Sequence, residues 1–81
     1  MSTRGAAELA AWMQLREITQ RQAAEALRVS GPTVHDWVHG RKRPRPSLRA
    51  LIASWTHGAV PVDSWLSDEA RAALAADRGA A

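Results

Sequence analysis

The residues of this chain best suited to chemistry crowd into VSGPTVHDWVHGRKRPRP, residues 29–46. His35 and His39 stand four apart with Asp36 between them, and Arg41, Lys42, Arg43 and Arg45 follow directly. Two histidines at that spacing share one helical face and could ligate zinc, but no cysteine, accompanying third histidine or HExxH glutamate completes a ligand set, so no metal site is expected. The imidazoles and the carboxylate offer single hydrogen bonds, and the cations attract a polyanion. That pairing suits a surface that grips phosphates and touches base edges. Asp36 also has a plainer reading, an ion pair with an arginine of the basic loop.

The rest of the chain narrows the classes. No glycine-rich phosphate loop, no paired carboxylates on a periodic face and no serine with a plausible base are present, so neither an enzyme nor a cofactor is expected. With no cysteine, disulfides, thiolate zinc sites and cysteine nucleophiles are excluded. Eighty-one residues with 46% apolar content fit one small domain. No apolar run approaches the roughly 18–20 residues of a membrane span, and MSTRGAAELA lacks a signal-peptide core, so a soluble cytoplasmic chain is expected. The formal net charge is only +3, but no acid lies between Asp36 and Asp63, where Arg41, Lys42, Arg43, Arg45 and Arg49 fall. A positive field confined to mid-chain marks a polyanion-binding face.

Helices must position these residues. Ala6, Leu9, Ala10, Trp12, Met13 and Arg16 recur at three and four, predicting an amphipathic first helix over 6–16. Thr19 followed by Gln22 matches a capping box and opens a second helix from Gln20 to Leu27. Ser30 offers a further N-cap, with Val29 and Val34 as a hydrophobic staple and Pro32 tolerated in the first turn, predicting a third helix from Gly31 to Val38 closed by Gly40. Pro44 and Pro46 hold the basic loop extended. Leu48, Leu51, Ile52 and Trp55 form an i, i+3, i+4, i+7 stripe, so a fourth helix runs from Ser47 to about His57 and stops at Gly58. AVPV reads as extended. Ser67 then caps an alanine-rich final helix that buries only Leu74 and is either docked or frayed. The expected fold is all-α, a compact bundle of about five short helices, with residues 1–66 as the domain and 67–81 as a terminal helix or disordered tail.

Only Arg28, Val29 and Ser30 separate the second and third helices, too short a link for antiparallel packing, so the two must cross steeply as in a helix-turn-helix. The run from Gln20 to Gly40 resembles the helix-turn-helix of phage repressors and Cro, the lambda-repressor-like family: Gln20 stands first, Ala24 fifth, Val34 fifteenth and buried Trp37 eighteenth. The ending HGAVPVDSWL is similar to the tails of small Cro-like phage regulators, and VxxW in the third helix resembles regulators that accompany anti-CRISPR genes. The resemblance covers about residues 18–66. It departs at the ninth position, where Arg28 replaces the preferred glycine; a non-glycine residue in left-handed conformation costs about 1–2 kcal/mol.

The resemblance implies a phage- or mobile-element-type repressor that binds double-stranded DNA as a homodimer on an inverted repeat, with helix 31–38 in the major groove. By family position Gly31, Pro32, Thr33, His35, Asp36 and His39 face base edges. Gln20, Arg21, Ser30 and Thr33 sit where phosphates are contacted, joined by Arg41, Lys42, Arg43, Arg45 and Arg49. Val34, Trp37 and Val38 face inward. By elimination, Trp55, Val60, Val62, Trp65, Leu66 and Leu74 remain for a dimer interface, and no small-molecule effector or membrane partner is expected. Two alternatives stay open: an antitoxin that neutralises a toxin, and a restriction-modification controller.

Overall fold

A computed structural model describes residues 4–67, 69–70 and 72–73. Four α-helices, α1 (Arg4–Leu15), α2 (Gln20–Leu27), α3 (Gly31–Val38) and α4 (Pro46–Trp55), are followed by a 3-10 turn, η1 (Val62–Trp65). No strand occurs among the described residues, and none of their helices is long and apolar enough to cross a membrane. Among the described residues the helix count is four where about five were expected. Beyond η1, the Ser67 hydroxyl accepts from the Ala70 N–H at 3.1 Å, and Glu69, Ala70, Ala72 and Ala73 have helical backbone. Leu74 and the remainder of the expected terminal helix lie outside the described residues.

Local chemistry sets the starts of α2 and α3. At α2 the capping box closes reciprocally: the Gln22 N–H donates to Thr19 Oγ1 at 3.1 Å and the Thr19 N–H donates to Gln22 Oε1 at 2.9 Å. At α3 Ser30 Oγ accepts from the Thr33 N–H at 3.3 Å and lies 2.7 Å from the Thr33 hydroxyl, while Pro32 occupies the first turn. Three residues therefore suffice to turn the chain, and α2 and α3 make the most extensive contact between any two elements.

The helix ends share one device. At each, the residue after the last turn adopts positive φ: Glu17 (56°), Arg28 (58°), Gly40 (72°) and His57 (55°). In each case two backbone bonds span it. Val29 N–H reaches Ala24 O and Arg28 N–H reaches Glu25 O; Ile18, Arg41 and Gly58 likewise donate to Met13 O, Asp36 O and Ala53 O at 2.8–2.9 Å. These are Schellman closures, which satisfy orphan carbonyls at the cost of a left-handed residue. Only at α3 is that residue glycine. At α4, His57 takes the position expected of Gly58.

The core is built from Ala6, Leu9 and Met13 of α1, Ala23, Ala24 and Leu27 of α2, Val34 and Trp37 of α3, Ile52 of α4, and Val60 and Trp65. Of the α4 stripe only Ile52 is fully buried; Leu51 is 43% exposed, so the helix turns a narrower face inward than its pattern suggests. Of the AVPV segment, Pro61 is extended and Val62 opens η1, which packs on both α1 and α4. That corrects the expected interface: Val60 and Trp65 are each 0% exposed, consumed by the domain's own core, and cannot face a second chain.

Candidate nucleic-acid interface

Helix α3 splits into two faces. Val34 and Trp37 are buried and Val38 packs against the core, which turns Pro32, His35 and His39 to solvent with Gly31, Thr33 and Asp36 half-buried beside them. A Cβ on Gly31 would meet nothing within 4 Å, so that position borders open space. The two imidazoles lie side by side, ring centroids 4.2 Å apart and tilted by 50°. His35 Nδ1 is 3.3 Å from the Gln20 amide oxygen, tying the exposed face of α3 to the first residue of α2. Asp36 does pair with the loop, through Lys42 rather than an arginine, at 3.7 Å.

The basic loop is clipped rather than free. Pro44 is fully buried while Arg43 and Arg45 on either side are exposed, so alternation around one anchored proline aims two guanidinium groups outward. Arg49, half-buried on α4, donates from Nε to the Pro44 carbonyl at 2.7 Å. The residue expected simply to supply charge thus also holds the loop down. Neither role of this pair was read from the sequence; the RPRP repeat was its one visible trace.

Folding back, the loop meets the start of α3. Ser30 and Thr33 share with Lys42, Arg43 and Arg45 a cleft of about 370 Å³ floored by Trp37 and Leu48. Hydroxyls from one segment and cations from another converge there, a donor-rich lining suited to anionic oxygens.

Comparisons of the chain with protein-family models, with curated proteins and with solved structures find no match.

Among the other expected contact residues, Gln20 lies at the edge of this face through His35. Arg21 is exposed and pairs along α2 with Glu25 at 3.6 Å, a solvent-screened i, i+4 contact. Arg41 is exposed at the mouth of the loop. Of the other expected interface residues, Val62 is 44% exposed, Leu66 is half-buried, and Trp55 packs edge-on against Trp12 with centroids 4.7 Å apart. Among the described residues no group of three or more His, Cys, Asp or Glu side chains could hold a metal ion.

Proposed function

We propose that this chain is a sequence-specific double-stranded-DNA-binding regulator of transcription, a repressor of phage repressor/Cro type, in which α2 and α3 act as a helix-turn-helix and α3 enters the major groove. What carries the reading is the cleft in which Ser30 and Thr33, at the start of α3, meet Lys42, Arg43 and Arg45, which follow its end. In this reading phosphate-anchoring groups flank one exposed helical face, which is the arrangement needed to seat a helix in a groove. Pro32, His35, Asp36 and His39 then meet base edges. Gln20, Arg21, Ser30, Thr33 and the cations from Arg41 to Arg49 meet the backbone.

One small reader spans few base pairs, so specificity calls for two chains on an inverted repeat with half-sites about 10–10.5 bp apart. With Val60 and Trp65 withdrawn into the core, Trp55, Val62 and Leu66 are the described residues left for that contact. The deciding experiment is selection of bound sequences from a random duplex library, followed by sizing of the complex. An enriched inverted repeat holding two chains is the expected result; salt-dependent binding without enrichment reduces the protein to a non-specific polyanion binder. If about four phosphates are neutralised per monomer, log K falls against log salt with a slope near −7 for the dimer, at roughly −0.9 per contact. A slope near −2 removes the loop from the backbone.

A further inference from the structure

We propose that His35 is a specificity-determining residue that accepts a hydrogen bond from an exocyclic amino group, adenine N6 or cytosine N4, and does not read guanine. The inference rests on α3 entering the major groove and adds to it the polarity of one contact. Its basis is the Gln20–His35 pair: the amide oxygen Oε1 lies 3.3 Å from His35 Nδ1. An amide oxygen only accepts, so a hydrogen bond in this pair requires the ring hydrogen on Nδ1. A neutral imidazole carries one N–H, and Nε2 is left with the lone pair.

That reverses the simplest expectation for a histidine in this position, a ring N–H donated to guanine. In the major groove guanine shows two acceptors, N7 and O6, and thymine shows O4 and a methyl group; only adenine N6 and cytosine N4 donate. An accepting Nε2 fits the last two alone. The surroundings point the same way. Asp36, one residue on, contributes an acceptor-only carboxylate, Pro32 has no backbone N–H, and the His39 ring packed at 4.2 Å restricts rotation of the His35 ring out of its bond with Gln20. Among the other exposed side chains of α3 only the His39 ring carries a donor, unlike an arginine-bearing face built for guanine.

Two measurements test this. In the free full-length protein, long-range 1H–15N correlation spectra at about pH 8.5, above the range in which histidine side chains usually gain charge, should show His35 as the Nδ1–H tautomer, with that tautomer lost in Gln20→Ala. A predominant Nε2–H tautomer overturns the assignment. In the selected duplex, His35→Ala should relax preference at one base pair per half-site. Methylating the amino group there, as N6-methyladenine or N4-methylcytosine, should weaken wild-type binding about fivefold, the size of one net hydrogen bond, and leave His35→Ala unaffected. Replacing the pair's purine by its 7-deaza analogue should change nothing. Sensitivity to 7-deazaguanine with indifference to amino methylation overturns the polarity while leaving DNA recognition standing; a library with no enriched sequence overturns both.

Discussion

The indole of Trp65 lies directly on Gly5: a Cβ placed on this α1 glycine would overlap the ring, with Cε2 only 2.8 Å away. Gly5 stands in the first turn of α1, and its presence there is explained by the ring rather than by helix propensity. Gly5→Ala should destabilise the domain by about 1–3 kcal/mol, because a rigid indole cannot yield as a flexible chain end would. The Trp65 N–H has no hydrogen-bond partner among the described residues. Trp65→Phe therefore loses packing but no hydrogen bond, and it should partly rescue Gly5→Ala in a double-mutant cycle of thermal melts. An unchanged or raised melting temperature for Gly5→Ala alone defeats this account of the seam.

Arg28 closes α2 in a left-handed conformation that costs an L-residue about 1–2 kcal/mol. Glycine removes that strain but adds roughly 0.5–1 kcal/mol of unfolded-chain freedom. Relief of strain outweighs the added freedom, so Arg28→Gly should stabilise by about 0.5–1 kcal/mol and raise the melting temperature by several degrees, given about 4–8 °C per kcal/mol in a domain of this size. Glu17→Gly should gain at least as much, since it also removes a negative charge from the C-terminal end of a helix dipole. Gly40→Ala should go the other way. Calorimetry on the three variants checks the set, and a fall for both glycine substitutions rejects the strained-cap reading.

These cases mark how far the sequence could be read. The limits of α2 and α3 follow from side chains that bond backbone groups three residues away, Thr19 with Gln22 and Ser30 with Thr33, so the signal is local and legible. The contact of Trp65 with Gly5 spans nearly the whole domain, and nothing near VPVDSWL signals it; hence Val60 and Trp65 looked available for a partner. Glu17 and His57 gave no warning of positive φ because their Schellman closures lack the usual glycine. At the site, residue types and charge were legible, but the anchoring of Pro44 by Arg49 and the tilt of His35 onto Gln20 depend on how α2, α3 and α4 pack.

Thr56 is 1% exposed and serves two bonds at once: its hydroxyl donates to the Ile52 carbonyl at 2.8 Å and accepts from the Val60 N–H at 3.1 Å. It thereby fixes the path from α4 into the core position of Val60. Thr56→Val keeps the shape and strands a buried N–H, which should cost about 1–3 kcal/mol. Thr56→Ser keeps both bonds and gives up one methyl group, worth roughly 0.8 kcal/mol. Chemical denaturation should rank valine as the worse substitution; the opposite order means the hydroxyl is not what holds the turn.

Charge on the proposed DNA face is not uniform, and that separates the loop cations. Arg43 and Arg45 flank a buried proline and point outward, whereas Lys42 lies 3.7 Å from Asp36. Replacing Arg43 or Arg45 by alanine should lower the salt slope by about 0.9 per monomer each, roughly 1.8 per dimer. Lys42→Ala should lower it less, since part of its charge is already answered by Asp36. Asp36→Asn removes a carboxylate facing a polyanion and releases Lys42 to the backbone. It should therefore tighten binding to arbitrary duplex at low salt while weakening discrimination between sequences, because an acceptor-only carboxylate becomes an amide that can donate as well as accept. Fluorescence anisotropy against a potassium chloride series reads both effects. Weaker non-specific binding by Asp36→Asn, or equal slopes for all three cation variants, would remove Asp36 from the interface and return it to the role of a surface ion-pair partner.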